Sequence, residues 1–413
     1  MSESKTFCIL PFVHLYLEPK GEMKPCCIAG GFDKPVNLKN TSIEDAFNSP
    51  QMKELRKDML EGKRNKVCDV CYKREDTTGH SPRLDFNNNK IWIVPDIEED
   101  YSVSTQFQHL DVRFTNLCNF KCRMCNHDFS SNWYEDYKII KPFQVEGVQK
   151  VLKVSETISE DLSKHLENVK SIYFAGGEPM IMPEHYHTLK KLYDIIPVNE
   201  KSLRRKVSIH YNTNLSILKF EEHNLVDFWE GFERVFLSIS CDGIGEVGEY
   251  QRTGFKHESF VKNLETVKKY FYPGNSYGIG DGMWYNFQYT TTIWNVYHIF
   301  DFINFMLDNN FIKNTDTIDF YYSWQPNYSS VNNLTQSEKD RLIEFLYDGM
   351  KKTTLTEKTY RELDRIIDFI KSPQVGDLKE LIDYTSTLDK MYGTNVMKLG
   401  GVDFDKMSLE LEK

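Results

Sequence analysis

Apolar and polar residues alternate along six separate segments of the chain, and this alternation is typical of β-strands. The segments are residues 109–115, 171–179, 206–214, 234–243, 284–292 and 317–324. Between the segments, apolar residues recur with the helical period of about 3.6 residues. Leu189, Leu192 and Ile196 show this spacing after the second segment. Strand and helix therefore alternate along most of the chain.

This order predicts an α/β fold, because strands that alternate with helices form parallel sheets with right-handed crossovers. Six β/α repeats predict a partial, TIM-like (β/α)6 barrel over residues 101–350, with its chemistry at the C-terminal ends of the strands. A small cysteine-rich lobe is predicted at residues 1–100 and a helical extension at residues 351–413. The glycine-rich stretch at residues 278–282 precedes a strand instead of following one, and we interpret it as a plain connector.

Composition and charge restrict the classes of partner. The chain of 413 residues carries 51 basic and 61 acidic residues, a net charge of −10, without a run rich in lysine and arginine. We therefore expect no nucleic-acid partner. The apolar stretch at residues 8–17 is short and is interrupted by Pro11 and His14, so we expect neither a signal peptide nor a membrane span. The expected location is the reducing cytoplasm, where clustered cysteines bind metals or do redox chemistry.

Three of the nine cysteines stand close together as Cys118-Asn-Phe-Lys-Cys122-Arg-Met-Cys125. This spacing arises by chance roughly 0.004 times in a chain of this length and cysteine content. Three closely spaced thiolates suit a cubane iron–sulfur cluster, in which the fourth iron has no protein ligand and can bind another molecule. A structural zinc site is the alternative, but it requires a fourth ligand, such as His127 or a distant residue.

A Gly176-Gly177-Glu178-Pro179 turn follows the second predicted strand. Together with the three cysteines, this turn resembles the signature of the radical S-adenosylmethionine enzymes. The resemblance implies a [4Fe–4S] cluster on the three cysteines, with the amino and carboxylate groups of S-adenosylmethionine on the open iron. It also implies that the Gly-Gly-Glu-Pro turn hydrogen-bonds the amino group of the cofactor.

The resemblance extends to further residues near the cofactor, at Met124, Asn212, Ser240, Asp242 and Arg252. It implies that Arg252 pairs with the cofactor carboxylate, which a guanidinium fork fits geometrically. Asn212 and the nearby Asn214 would face the ribose. Met124 stands where many relatives have an aromatic residue beside the adenine, and a thioether can also pack on a ring. For the polar residues, capping of strand ends and turn formation are an equal alternative.

Five further cysteines precede the predicted barrel, at Cys8, Cys26, Cys27, Cys68 and Cys71. Few apolar residues accompany them, so this lobe is expected to need a metal as a staple. The lobe resembles the twitch module, a shortened relative of the SPASM domain that carries an auxiliary iron–sulfur cluster. The module usually follows the barrel, whereas here it precedes the barrel, as in an N-terminal twitch subgroup.

The twitch resemblance implies a second [4Fe–4S] cluster, whose four ligands would be Cys8, Cys26, Cys68 and Cys71. Cys27 is then the spare cysteine, although the choice between Cys26 and Cys27 stays open. Zinc bound by the same four thiolates is the rival interpretation of this lobe.

These resemblances imply a radical S-adenosylmethionine enzyme of the oxidoreductase or maturase type. It would cleave S-adenosylmethionine reductively to a 5′-deoxyadenosyl radical, which abstracts hydrogen from a substrate, with electrons from a donor such as a flavodoxin or ferredoxin. A peptide or protein side chain is the favoured substrate, and a small molecule or sugar is the alternative. No catalytic residue is assigned. A non-catalytic binding protein stabilised by zinc is the alternative of another class, and it leaves the Gly-Gly-Glu-Pro turn unexplained.

Overall fold

Eight parallel strands form the central sheet in the computed structural model, which describes residues 5–274 and 282–411. The strands are β1 (His14–Leu17), β2 (His109–Val112), β3 (Ser171–Phe174), β4 (Arg205–Thr213), β5 (Phe232–Ser240), β6 (Tyr272–Pro273), β7 (Gly282–Thr291) and β8 (Ile318–Tyr322). They pair in the order β1-β2-β3-β4-β5-β7, and β6 and β8 pair with different parts of β7. Residues 278–281 of the predicted connector lie outside the described part of the chain.

The six strands predicted from the alternation correspond to β2, β3, β4, β5, β7 and β8. Their parallel pairing and the helices between them confirm the α/β fold class. Within the described residues, no pairing joins β1 to β8, so the sheet is open there. The alternation does not predict β1, which is fully buried and pairs in register with β2. The boundaries of lobe, barrel and extension stay a prediction.

Helices connect the strands and extend the chain at both ends. In the described residues they are α1 (Leu10–Val13), α2 (Ile43–Phe47), α3 (Pro50–Leu60), α4 (Asp69–Thr78), α5 (Pro82–Asn88), α6 (Trp133–Ile140), α7 (Glu156–Ser163), α8 (Pro183–Ile195), α9 (Leu225–Trp229), α10 (Gly245–Gln251), α11 (His257–Val267), α12 (Ile299–Asp308), α13 (Gln336–Lys352), α14 (Glu357–Lys371), α15 (Leu378–Tyr392) and α16 (Phe404–Leu411). Two short antiparallel pairs lie outside the sheet, Lys121–Cys122 with Arg252–Thr253 and Lys219–Phe220 with His223–Asn224. No helix in this part of the chain has the length and apolar character needed to cross a lipid bilayer.

The pairing register gives the sheet one apolar face and one more polar face. One row across five neighbouring strands consists of the buried residues Leu15, Leu110, Ile172, Ile209 and Val235. The next row along the first four of these strands consists of Tyr16, Asp111, Tyr173 and His210. Because successive side chains of a strand point to opposite faces, the second row faces away from the apolar row. The polar face is therefore available to line a cavity.

Helices α14 to α16 confirm the predicted C-terminal helices, and α13 (Gln336–Lys352) lies almost wholly before the predicted extension at residues 351–413. The apolar face of α14 is buried and consists of Leu363, Ile366, Ile367 and Ile370. This helix packs against β8, where the Glu362 carboxylate accepts a hydrogen bond from the backbone N–H of Phe320 at 3.1 Å. α15 reaches the cysteine loop, since the Tyr384 hydroxyl donates to the backbone oxygen of Arg123 at 3.2 Å.

Candidate active site

A cavity of about 1230 Å³ opens at the C-terminal ends of the strands. Most residues that the sequence selects for the barrel site line it, namely Cys118, Cys122, Met124, Cys125, Gly176, Gly177, Glu178, Asn212, Ser240 and Arg252. Two selected residues, Pro179 and Asp242, are buried next to it instead. Parallel strands explain this gathering, because their carboxyl ends meet at one edge of the sheet.

Hydrogen bonds to its backbone hold the loop that carries the three cysteines. The Cys125 N–H donates to the Cys122 oxygen at 2.8 Å, and Cys122 pairs with Arg252 in a short antiparallel ladder. The Trp133 indole donates to the same Cys122 oxygen at 3.2 Å. The Tyr137 hydroxyl donates to the Cys125 oxygen at 3.4 Å. The thiols therefore enter the cavity from a fixed backbone.

Burial and mutual proximity act on the three thiols of this loop. Burial raises the pKa of Cys118 to about 12, and the neighbouring Cys122 adds to the rise. Burial also raises the pKa of Cys125 and, against the charge of Arg252, the pKa of Cys122. Such thiols are neutral by themselves, and a bound metal centre makes thiolates of them. Three sulfur donors on one loop fit a soft centre such as an iron–sulfur cluster.

The Gly-Gly-Glu-Pro turn packs directly on the cysteine loop. The Gly177 N–H donates to the Thr115 oxygen at 3.2 Å, and the Glu178 N–H donates to the Leu117 oxygen at 2.7 Å. A Cβ on Gly177 would lie 1.9 Å from that Leu117 oxygen. Gly176 has φ = +114°, where a side chain is strained. Both glycines are therefore required by the close approach of two backbones.

The Glu178 side chain holds this turn to the end of β4. Its carboxylate accepts hydrogen bonds from the Thr213 hydroxyl at 2.8 Å, the Met180 N–H at 3.1 Å and the Asn214 N–H at 2.7 Å. Only 1% of Glu178 is exposed. Burial raises the pKa of the carboxyl group to about 7, although these three donors oppose the rise. The side chain thus braces the cavity wall from behind.

Arg252 connects a buried carboxylate to the cysteine loop. Its Nε and Nη2 lie 2.7 and 2.5 Å from Asp242 Oδ2, and Asp242 Oδ1 accepts the Thr290 N–H at 2.8 Å. The Arg252 Nη1 lies 3.6 Å from the Cys122 sulfur. The resemblance implies that Arg252 pairs with the cofactor carboxylate, whereas the structure pairs it with Asp242 and points Nη1 at a predicted cluster ligand.

The remaining predicted cofactor residues differ in their surroundings. Asn212 and Ser240 lie on the cavity wall. Asn214 also lines the cavity, but its side-chain amide donates to the Asn119 side chain at 2.9 Å and so ties β4 to the cysteine loop. The Met124 sulfur lies 3.8 Å from the Gln251 amide nitrogen, which holds the thioether at the cavity wall. The Asn214 side chain therefore stabilises the end of the strand, which is the alternative role that the sequence leaves open for it.

Four of the five N-terminal cysteines form a second group. The pKa values of Cys8, Cys26 and Cys68 are raised to about 12, mainly by burial and further by other members of the group, Cys71 included. Across residues 5–274 and 282–411, no three His, Cys, Asp or Glu side chains are arranged to hold one metal ion. Both cysteine sets therefore remain predicted ligands.

A comparison with protein families finds a match for the segment that carries this second group. Residues 8–72 match the SPASM iron–sulfur cluster-binding domain. The match spans all five N-terminal cysteines, and it confirms the resemblance of the lobe to the SPASM family. The match therefore supports iron–sulfur binding by this segment, which we call the SPASM lobe. No curated protein matches the chain.

Solved structures similar to the chain share little sequence with it. Histidine-tagged anSMEcpe with bound AdoMet is 16% identical, with a TM-score of 0.38 over 59% of this chain and 57% of that chain. Streptococcus suis SuiB bound to precursor peptide SuiA is 14% identical, with a TM-score of 0.37 over 78% and 67%. TYW1 with a lysine-pyruvate adduct is 14% identical, with a TM-score of 0.28 over 57% and 70%. The chain thus spans less than two thirds of the length of anSMEcpe.

Cys27, the fifth cysteine of the SPASM lobe, is engaged with the barrel. Desolvation raises the pKa of the Cys27 thiol to about 12, the nearby Asp111 carboxylate adds to the rise, and Arg113 opposes it. Asp111 belongs to β2, which pairs with β1 of the SPASM lobe. Lys20 of the lobe also forms an ion pair, at 3.1 Å, with Asp128, which follows the cysteine loop in the sequence. The SPASM lobe therefore contacts the barrel through both backbone and side chains.

Arg123, between two motif cysteines, has no role predicted from the sequence, yet its side chain is fully buried. Its Nε donates to the Tyr250 oxygen at 2.9 Å. Its Nη2 donates to the Asp389 carboxylate at 3.0 Å and to the Thr394 hydroxyl at 3.1 Å. Helix α15 is thereby tied to the cysteine loop. An arginine between two motif cysteines only weakly indicates a structural role. The spacing of the motif cannot identify Asp389, which lies far away in the sequence, as its partner.

Proposed function

We propose that this chain is a radical S-adenosylmethionine enzyme with an auxiliary iron–sulfur cluster in its SPASM lobe. The observation that supports this most is the shared cavity, in which three thiols of one loop meet the Gly-Gly-Glu-Pro turn. The proposed ligands of the cluster in the cavity are Cys118, Cys122 and Cys125. The family match of the SPASM lobe supports the second centre, with Cys8, Cys26, Cys68 and Cys71 as its proposed ligands.

When bound, the cluster and S-adenosylmethionine would supply radical chemistry that takes a hydrogen atom from the substrate, at the cost of one electron from the donor. The chain itself positions these groups. The Arg252 guanidinium, 3.6 Å from the Cys122 sulfur, stabilises the thiolate form of Cys122. Asp242 acts through Arg252, because it holds the guanidinium in place.

The cofactor-binding walls proposed for S-adenosylmethionine lie around the three thiols. They comprise the Gly-Gly-Glu-Pro turn, which reaches the loop only because Gly177 lacks a side chain, and the strand ends at Asn212 and Ser240. Met124 supplies an apolar surface for an aromatic ring. These elements come from different strands, so the site forms only when the barrel is folded.

A peptide or protein side chain is the proposed substrate. The cavity of about 1230 Å³ has to accommodate the proposed cluster and S-adenosylmethionine together with the reacting part of the substrate. Its lining includes exposed aromatic side chains, with 61% of Trp324 and 51% of Phe129 exposed, which suit contact with a chain. A small molecule or sugar remains the alternative substrate. A flavodoxin or ferredoxin is the proposed electron donor.

The direct test is the release of 5′-deoxyadenosine from S-adenosylmethionine by the anaerobically reduced protein. We expect release from the wild type and from Cys241→Ser, because the Cys241 thiol is buried and donates to the Gly243 oxygen at 3.2 Å. We expect no release from Cys122→Ala, which leaves the cluster with two thiolates. Release that persists in Cys122→Ala would remove the proposal.

The substrate class requires a separate experiment. The reduced protein is incubated with S-adenosylmethionine and a broad panel of peptides, and the products are analysed by mass spectrometry. Loss of two hydrogens or a new crosslink in a peptide would support the proposed substrate. An unchanged panel, together with release of 5′-deoxyadenosine, would favour a small molecule.

A further inference from the structure

Arg113 stands on the cavity wall that adjoins the SPASM lobe. It directly follows β2, and its backbone N–H donates to the Leu17 oxygen of β1 at 2.8 Å. Its side chain lines the same cavity as the three motif cysteines. A Cβ on Gly176 would lie 3.3 Å from the Arg113 Cβ, so Arg113 also adjoins the Gly-Gly-Glu-Pro turn. Arg113 therefore lies between the proposed cofactor site and the SPASM lobe.

Asp111 fixes the orientation of the Arg113 guanidinium. The Nε and Nη2 atoms donate to the two Asp111 oxygens at 3.2 and 3.3 Å, and only 3% of Asp111 is exposed. The guanidinium carbon lies 5.2 Å from the centre of the Tyr16 ring. A guanidinium fixed in this way loses little conformational entropy when it binds a ligand.

Arg113 is the cavity cation with donors left for a ligand. A guanidinium has five N–H groups, and the carboxylate beside Arg113 accepts from two of its nitrogens. Arg113 makes no further side-chain hydrogen bond within the described residues. Arg113 is paired with Asp111 as Arg252 is with Asp242, but the Arg252 Nη1 also lies 3.6 Å from the Cys122 sulfur, and Lys141 is paired with Glu380 at 3.1 Å. The Nη1 group of Arg113 is therefore left to donate to a bound molecule.

We propose that Arg113 binds a carboxylate group of the substrate. Asp111 occupies the Nε–Nη2 edge of the guanidinium, so the Nη1–Nη2 edge is the fork of N–H donors that matches the two oxygens of a substrate carboxylate. The inference rests on the proposed function, because it places the substrate between the cofactor and the SPASM lobe. It narrows the substrates to molecules with a carboxylate, which an acidic side chain, a chain terminus or a small acid can provide.

The probes N-acetylglycine and N-acetylglycinamide test this inference, because they differ only in one carboxylate. Saturation-transfer NMR measures their binding to the cluster-loaded protein with S-adenosylmethionine. We expect the wild type to bind N-acetylglycine about tenfold more tightly, which is typical of charge-assisted hydrogen bonds. Arg113→Gln is expected to lose this preference, and Arg113→Lys to keep part of it, because lysine keeps the charge without the fork. Arg361→Gln, which removes an exposed arginine of α14, is the charge-matched control.

Equal binding of the two probes by the wild type would overturn the assignment, and so would a wild-type preference in Arg113→Gln. The iron content shows whether each variant retains its clusters. If Arg113→Gln loses them, Arg113→Lys provides the comparison with the wild type. Release of 5′-deoxyadenosine by the wild type is measured in parallel. Release without a probe preference would refute the role of Arg113 alone. Absence of release would refute the proposed function, whichever probe binds.

Discussion

Gly177 controls how closely the Gly-Gly-Glu-Pro turn approaches the cysteine loop. A Cβ there would overlap the Leu117 oxygen at 1.9 Å, one residue before Cys118. We expect Gly177→Ala to displace the loop and to bind about half of the wild-type iron, since one of two clusters is lost. Gly401→Ala is the control, because its Cβ would meet its nearest neighbour at 3.6 Å. Full iron content in reconstituted Gly177→Ala would show that this contact is unimportant.

Cys26 and Cys27 are adjacent, and the sequence alone leaves open which of them is a ligand. In the structure Cys8 and Cys71 add to the raised pKa of Cys26, whereas Cys27 is influenced by Asp111 and Arg113 of the barrel. We predict that Cys27→Ser retains the iron and sulfide content of the wild type and that Cys26→Ser loses about half of it. Iron and acid-labile sulfide assays measure this. The opposite result would make Cys27 the ligand.

His14 makes the fold sensitive to acid. Its buried ring stacks on that of His109 at 4.7 Å, and burial lowers the pKa of His14 to about 4. The unfolded chain, with an ordinary pKa of about 6.5, therefore binds more protons than the folded protein. The contribution of neutral His14 to the free energy of unfolding is therefore complete above about pH 6.5, and it is lost as the pH falls toward about 4.

The size of this acid effect can be measured with a variant that cannot titrate. Between about pH 7.5 and about pH 5.5, His14 should lower the free energy of unfolding by about 1.4 kcal/mol. In His14→Phe, which keeps an aromatic ring, the decrease should be smaller by this amount. Urea denaturation at both pH values provides the comparison. An identical decrease in wild type and variant would rule out the contribution of His14.

At the scale of elements, helix α15 holds the cysteine loop through one buried ion pair, in which Asp389 lies 3.0 Å from Arg123. Asp389→Asn leaves a buried guanidinium without its counter-charge, so we expect the free energy of unfolding to fall by about 3 kcal/mol. Asp348→Asn, which breaks an exposed pair with Lys351, should change it by less than about 0.5 kcal/mol. Urea denaturation compares the variants. Equally small effects would show that α15 does not stabilise the loop.

The strands that the sequence predicts either are long enough to show a period or, like the four-residue strands β2 and β3, run into a loop that carries a motif. β4, β5 and β7 have nine or ten residues each, and their alternation is clear. β1 has four residues, all buried, and the ladder between Lys121–Cys122 and Arg252–Thr253 has two on each side. Segments as short as these do not by themselves identify a strand. Their pairing depends on the folded arrangement of the chain.

At the scale of the whole molecule, the candidate site is predictable as a group of residues because parallel strands collect their carboxyl ends at one edge. The ion pair of Arg123 with Asp389 and the contact of Cys27 with Asp111 are not predictable in this way. Each joins residues far apart in sequence, and no local pattern records which distant segments will pack together. The sequence thus identifies the candidate cluster and cofactor ligands, but not the distant residues whose contacts keep these ligands in position.

The SPASM lobe precedes the barrel in the chain, and β1 explains how this order is accommodated. β1 adds to the sheet beside β2, and β2 leads into the cysteine loop. The backbone bond from the Arg113 N–H to the Leu17 oxygen continues this pairing to the rim of the cavity. The lobe is therefore held next to the proposed substrate site by main-chain hydrogen bonds, which do not depend on side-chain identity.

The central claim is that three thiolates hold a cluster with one iron open to S-adenosylmethionine. The most direct test is the EPR spectrum of the anaerobically reduced Cys68→Ala variant, in which the cluster of the SPASM lobe is removed. The account predicts the signal of one [4Fe–4S] cluster whose g values shift when S-adenosylmethionine is added. A spectrum that S-adenosylmethionine leaves unchanged, or zinc without acid-labile sulfide at the three cysteines, would contradict it.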